Sequence, residues 1–256
     1  IMERLVGSEM CIRDSIATSG RPGPVVIDVP KNMTDPNYKF EYKYPRELVM
    51  RSFPILGKGQ DEKIVEAIEL FRSAKKPVIY SGGGTIQADA SKELTEFSKL
   101  IGCPVTNTLM GLGAFPGDDD QFVGMLGMHG TYEANMVMSE ADLIFNVGAR
   151  FDDRITNNPS KFGLEAKKIH IDSDPSSIDK IIGVDLAIEG DAKLVMQQLI
   201  EQVKSTGFDQ SIYKEWWAQV EGWREAHGLN HDMLKLKNEK DIILPQQVIQ
   251  LSLIHI

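Results

Sequence analysis

The sequence predicts an α/β protein: a doubly wound, mostly parallel six-stranded sheet, accompanied by partial flanking domains. Three observations predict it. From residue 61 onward, short apolar runs alternate with stretches of helical periodicity. The apolar runs are nearly continuous, as in parallel strands covered on both faces. Their ends carry glycines and charges, and open parallel sheets bind ligands outside the carboxyl ends of their strands.

The elements follow in order. Ile64, Ala67, Ile68 and Phe71 recur at i, i+3/i+4 and i+7 and predict a helix, which Pro77 closes off. "VIYSGGG" reads as a buried strand running into glycines. Leu94, Phe97 and Ile101 mark a second helix, stopped by Gly102 and Pro104. "PVTNT" is the next strand, and "LMGLGAFPGDDDQFVGMLGMHG" a long glycine-rich connection of the kind tied to function. A helix from about Thr131 to Ser139 leads into the strand before "NVGARFDDR". "KKIHID" and "VDLAIEG" are further strands, and Ala192, Val195, Leu199 and Val203 trace a closing helix. Ahead of this unit, "GRPGPVVIDVPKNM" reads as a proline-bounded strand, followed by a polar linker. Beyond it, "YKEWWAQVEGWREAHG" is a helix with three tryptophans, and "LPQQVIQ" starts a further element. No internal repeat of 20–50 residues is visible.

A chain of 256 residues with 42% hydrophobic and 25% charged residues can bury a sizeable core. Its net charge of −9 and lack of a basic face exclude nucleic acid as a general partner. No apolar run approaches the roughly 20 residues needed to span a bilayer, and no secretory pattern opens the chain. Cys11 and Cys103 form neither a disulfide framework nor a CxxC pair, so a reducing, cytoplasmic setting is expected.

The strand-end rule gathers Gly82–Gly84, Thr108, the 148–154 stretch and Asp172 on one rim. Gly82 and Gly83 carry no Cβ, so a ligand can approach their N–H groups, or they simply form a turn. Asp172 either accepts hydrogen bonds from ribose hydroxyls or caps the following "DPSS" turn. Arg150 either meets a diphosphate, or Arg150, Asp152, Asp153 and Arg154 merely pair with one another at the surface. His129 is either a general base or a loop histidine. Met110, Met125 and Met128 are either core filler or a soft wall beside a planar ring. Together these residues favour a nucleotide cofactor.

The ordered stretches "ATSGRPGPVVIDVPK", "KKPVIYSGGG", "PVTNTLMGLGAFPGDD", "MLGMHGTYEAN", "DLIFNVGARFDDRIT", "KIHIDSDP" and "EGDAK" go further. They resemble the large catalytic subunit of acetohydroxyacid (acetolactate) synthase, a thiamine-diphosphate enzyme family, over roughly residues 16–250. "MGLGAFPGDD" with "LGMHGTYEAN" is specific, and "RFDDRIT" separates this family from most thiamine-dependent relatives. The resemblance implies these boundaries: the end of a pyrimidine-binding domain over 16–35, a linker over 36–60, and a central FAD-binding domain over 61–206. A helical linker over 207–243 and the start of a pyrophosphate-binding domain over 244–250 follow. The ends, 1–15 and 251–256, resemble neither family nor surroundings and are read as artefactual.

The resemblance also assigns residues. Arg21 would contact FAD from the neighbouring domain. Gly82, Gly83, Thr108, Leu109, Met128, His129, Gly148, Arg150 and Asp152 would line it. Asp172 with Ser173, and Asp191 with Ala192, would hold the ADP end. Arg154 would reach the carboxylate of a 2-ketoacid substrate, with Met128 beside the channel. Thiamine diphosphate and Mg2+ would be held by domains outside this stretch, since no GDG occurs here and the ring-activating glutamate belongs to the amino-terminal domain. The whole enzyme would decarboxylate pyruvate and join the two-carbon unit to a second 2-ketoacid. It would work as a homodimer or homotetramer with a small regulatory subunit, and this stretch alone would not catalyse. A related carboligase or oxidase (glyoxylate carboligase, pyruvate oxidase) and a stand-alone nucleotide-binding module are the alternatives.

Overall fold

The computed structural model describes residues 13–20, 22–31, 37, 57–152, 156, 158–228 and 243–254. Six parallel strands form its sheet: β1 (Pro77–Ser81), β2 (Val105–Asn107), β3 (Phe122–Met125), β4 (Leu143–Val147), β5 (Lys167–Asp172) and β6 (Leu186–Glu189). Their spatial order is β3-β2-β1-β4-β5-β6. The chain therefore builds outward from β1 to one edge, returns to β4 on the other side of β1, and continues to the second edge. The crevice between the ends of β1 and β4 is the switch point where doubly wound sheets bind ligands.

Helices alternate with these strands and follow them: α1 (Asp61–Ser73), α2 (Gly83–Gln87), α3 (Ser91–Ile101), α4 (Tyr132–Glu140), α5 (Ala192–Thr206), α6 (Lys214–His227) and α7 (Pro245–Ile254). The predicted stripe of α1 is the buried one: Ile64, Ala67, Ile68 and Phe71. Phe71 and Phe97 meet edge to face with centroids 5.6 Å apart, and both pack on Phe145 of β4. Gly102 closes α3 in the left-handed conformation (φ 81°), as the sequence predicts for its C-cap. Helix α6 and the turn before it are fastened by donated hydrogen bonds: Tyr213 Oη to the Phe71 carbonyl at 2.6 Å and Trp216 Nε1 to that of Pro77 at 3.0 Å.

Strand membership differs from expectation in two places. Residues 22–30 form no strand, and Val26 is 92% exposed. A strand needs a paired neighbour for its backbone groups, and this stretch has none among the described residues. The sixth strand is instead β3, inside the glycine-rich connection. Gly124 (φ 95°) and a register shift against β2 break its apolar pattern. In addition, β1 ends at Ser81, and Gly83 opens α2 instead of prolonging the strand.

Candidate functional site

The residues that follow each strand lock the sheet's carboxyl edge into a continuous rim. Thr108 N–H donates to the Ser81 carbonyl at 2.9 Å, and Gly82 N–H to Val147 at 3.0 Å. Gly148 N–H donates to Ile171 at 3.0 Å, and Gly190 N–H to Asp172 at 3.1 Å. Each bond crosses to the neighbouring strand, so Thr108, Gly82, Gly148, Asp172 and Asp191 lie along one edge. Glycine at 82 and 148 is required by contact: a Cβ on Gly82 would stand 2.3 Å from the Gly148 carbonyl oxygen. Gly84 N–H also donates to that oxygen, at 2.9 Å. For Gly82 and Gly84 the hydrogen bonds realise the turn alternative. Two of the three are committed within the protein, and Gly83 alone stays outside the ladder.

Arg150 Nη2 pairs with Asp152 Oδ2 at 2.8 Å, both side chains being about half exposed. Arg150 and Asp152 thus pair at the surface, while the guanidinium stays open to solvent; Asp153 lies outside the described residues. Between them, Phe151 turns inward and is buried. A narrow cleft is lined by Arg150, Phe151 and Asp152 together with Ser177, Lys180, Ile181 and Ile182. Asp172 Oδ1 accepts from Asp174 N–H at 2.8 Å, so the turn-capping reading is realised for that oxygen. Its Oδ2 lies 3.7 Å from His170 Nε2. Asp191 caps α5 by accepting from Leu194 N–H at 3.1 Å; Ser173 is partly buried, and the Ala192 methyl is buried.

The opposite wing of the rim is apolar and uncovered. Leu109 is 69% exposed, Met110 77% and Met128 88%, and His129 is exposed beside it. Met110 and Met128 are therefore not core filler. The turn bearing Met128 and His129 is braced: Asn135 Oδ1 accepts from Gly127 N–H at 3.2 Å, and Asn135 Nδ2 donates to the carbonyls of Gly127 and Thr131. Thr131 Oγ1 donates to the Val123 carbonyl and accepts from Ala134 N–H as the N-cap of α4. This explains the "LGMHGTYEAN" pattern as a rigid knuckle with an exposed tip. Arg21 and Arg154 lie outside the described residues.

Sequence reasoning missed a buried polar row beneath the rim. Tyr80, Asn146 and His170 are in register across β1, β4 and β5 and fully buried. Asn146 commits its amide to Ala149, donating at 2.6 Å and accepting at 3.1 Å. Among the described residues, the Tyr80 hydroxyl and both ring nitrogens of His170 have no hydrogen-bond partner, nor does the Asn107 amide at the end of β2. Burial first, and the Asp152 charge second, raise the Tyr80 phenol above its ordinary pKa, so it remains a proton donor. The signal was available: "VIYSG", "LIFNVG" and "KIHID" each carry a polar side chain (Tyr80, Asn146, His170) one or two residues before the strand's end, inside an apolar run. A broader depression lined by Ser91, Thr95, Lys99, Gly113 and Pro116 shares no residue with the rim.

Comparison with known proteins fits this arrangement. The family profile described as "Thiamine pyrophosphate enzyme, central domain" matches residues 64–199. The chain is similar to the acetolactate synthase large subunit of Buchnera aphidicola from Schizaphis graminum, 46% identical over 235 residues. It is also similar to the Escherichia coli K12 acetolactate synthase isozyme 3 large subunit, 45% identical over 237 residues, and the Haemophilus influenzae large subunit, 44% over 236. These alignments cover 92% of this chain and 40% of each relative, so the chain spans about two fifths of the length of the curated relatives it matches.

Proposed function

The chain belongs to the thiamine pyrophosphate enzyme family and holds its central domain, and from that premise we propose that it is part of an acetolactate synthase large subunit whose rim binds FAD. One observation carries the cofactor reading: the switch-point rim joins an open arginine to an exposed wall of Leu109, Met110 and Met128. A flavin dinucleotide needs both parts, an anion site for its diphosphate and a soft apolar surface for its ring. Buried polar atoms without partners beside the rim also suit a ligand site.

Within this reading Arg150, supported by Lys180, binds the diphosphate, and Asp152 keeps Arg150 oriented until it does. Asp172 and Asp191 receive the ADP end. Thr108, Leu109, Met128 and His129 line the ring. Arg154 meets the 2-ketoacid carboxylate. The thiamine cofactor, held with Mg2+ by the rest of the protein, supplies the carbanion chemistry, and FAD serves the structure of the site. The whole enzyme decarboxylates pyruvate and condenses the two-carbon unit with a second 2-ketoacid, in an assembly with a small regulatory subunit. "RFDDRIT" favours this over glyoxylate carboligase or pyruvate oxidase. Cytoplasmic location belongs to the same reading; among the described residues no helix is long and apolar enough to cross a membrane.

The test is to express the chain, titrate it with FAD and follow flavin fluorescence and visible absorbance. Wild type should bind, and Arg150→Ala should weaken binding about tenfold or more, the scale of a lost charge-assisted contact. Equal affinity of the two proteins would overturn the role given to Arg150.

A further inference from the structure

His170 lies in β5 with nothing to bond to. Its side chain is fully buried, and neither ring nitrogen has a hydrogen-bond partner among the described residues. The neighbours that could supply one are otherwise engaged. Asn146, opposite it on β4, commits its amide to Ala149, and Ala187, opposite it on β6, has only a methyl group. Lys168, on the same face of β5, donates to the Ala166 carbonyl at 2.8 Å. Phe151 meets the imidazole edge-on, centroids 5.5 Å apart, and closes the slot with hydrocarbon. Leaving a buried imidazole in this condition costs stability, and such groups mark functional sites.

One polar group stands within reach. Residues two apart in a strand share a face, so Asp172 projects on the same side as His170. Asp172 Oδ2 lies 3.7 Å from His170 Nε2, with the two side chains only 12% and 1% exposed. Asp172 itself is pinned: its carbonyl accepts from Gly190 N–H at 3.1 Å, and its Oδ1 from Asp174 N–H at 2.8 Å. Oδ2 is the oxygen left over for other partners.

We infer that His170 is a positioning residue for the nucleotide end of the rim: its Nε2–H, from inside the sheet, holds the Asp172 oxygen that a ribose hydroxyl meets from outside. The inference rests on the reading of Asp172 as a ligand group at the ADP end. A carboxylate oxygen accepts two hydrogen bonds, so Oδ2 can serve both donors at once. At 3.7 Å the contact is longer than a hydrogen bond, and a side-chain shift of under about 1 Å closes it. A hydroxyl on Oδ2 and an N–H behind it strengthen each other, because linked hydrogen bonds polarise one another in a low-dielectric setting. This gives the buried imidazole a use that a leucine could not fill. It also brings His170 into ligand recognition without contact to the ligand.

The experiment is a set of binding titrations on the whole chain with FAD, ADP and FMN as probes. ADP carries the ribose end without a flavin, and FMN lacks that end. His170→Leu removes both ring nitrogens, and His170→Gln returns an N–H donor near the position of Nε2. His170→Leu should weaken FAD and ADP about tenfold and leave FMN within about twofold. His170→Gln should recover most of the loss, a rescue that a merely structural histidine would not show. In an Asp172→Ala background His170→Leu should have no further effect. FMN weakened as much as FAD, or no recovery with His170→Gln, would overturn the positioning role. If His170→Leu does not fold, nitrogen-15 NMR of the wild-type imidazole decides: saturating ADP should shift the Nε2 resonance, and an unmoved resonance would overturn the role.

The probes also separate the two ideas. Wild-type protein that binds ADP with these His170 effects but ignores FAD and FMN would overturn the flavin reading and support the positioning role. FAD binding indifferent to His170→Leu would overturn the positioning role and leave the flavin reading intact. Failure of wild type to bind any of the three would overturn both.

Discussion

Gly148→Ala probes the switch point most sharply. Gly148 sits at φ 58°, and a Cβ there would lie 2.7 Å from Thr85 N and 2.8 Å from the Gly84 backbone. The left-handed conformation costs an alanine about 1–2 kcal/mol. Overpacking adds about 1–3 kcal/mol, because the atoms met are backbone and cannot rotate away. The sum of roughly 2–5 kcal/mol corresponds to a Tm loss of about 5–15 °C for a domain of this size. Gly113→Ala is the internal control: its φ is 94°, but nothing lies within 4 Å of where its methyl group would stand. It should show the conformational cost alone, about 1–2 kcal/mol. The assay is thermal unfolding by circular dichroism of the two variants beside wild type. If Gly148→Ala lowers Tm no more than Gly113→Ala does, the close approach of the β1 and β4 ends is not what fixes glycine at 148.

Two further outcomes are expected. Asn135→Ala removes three hydrogen bonds from the Met128–His129 knuckle and should cost about 1–3 kcal/mol. Hydrogen exchange at Gly127 should quicken at least tenfold, and unchanged protection there would show that the turn stands without its brace. Glu140→Gln tests acid stability. Hydrogen bonds from Lys76, then Gln219, hold the Glu140 carboxyl below its ordinary pKa. A carboxyl lowered by folding stabilises fully above its unfolded pKa, and that contribution is lost as pH falls through the lowered folded value. The pair is more than a third exposed, so its worth is under about 1 kcal/mol. Urea midpoints against pH should therefore show a slightly flatter acid limb for Glu140→Gln, and a steeper one would contradict the sign.

Much of the fold was legible because the central strands are buried on both faces. Pro77–Ser81 and Leu143–Val147 are buried at every position, and such strands read as continuous apolar runs whatever surrounds them. Edge strand β3 was not legible, since Gly124 and the β2 register shift replace the pattern with what looks like loop. The segment 22–30 failed the other way: its composition suits a strand, but pairing is a property of a neighbour, which composition does not carry. At the site, strand-end position alone was enough to place Gly82, Gly148, Arg150 and Asp172 on one edge. It could not separate Asp172 as a cap from Asp172 as a ligand group, because both use the same residue at the same strand end. Nor could it show that Tyr80, Asn146 and His170 form one row, which depends on the register between strands.

The disposition of donors along the rim bears on how any dinucleotide would be held. In glycine-rich phosphate loops the helix amides themselves receive the anion. Here Gly82, Gly84, Thr108 and Gly148 have already given their N–H groups to neighbouring strands. The glycines serve to let two strand ends touch, and under the proposed reading phosphate recognition would fall to side chains, Arg150 foremost. Recognition through a surface arginine is exchangeable in a way that recognition through a fixed backbone is not. Arg150 has a resident carboxylate partner, and any anion must compete with Asp152 for it. Affinity at this rim is then a difference between two charge pairs, so what becomes of Asp152 after release matters as much as what Arg150 gains.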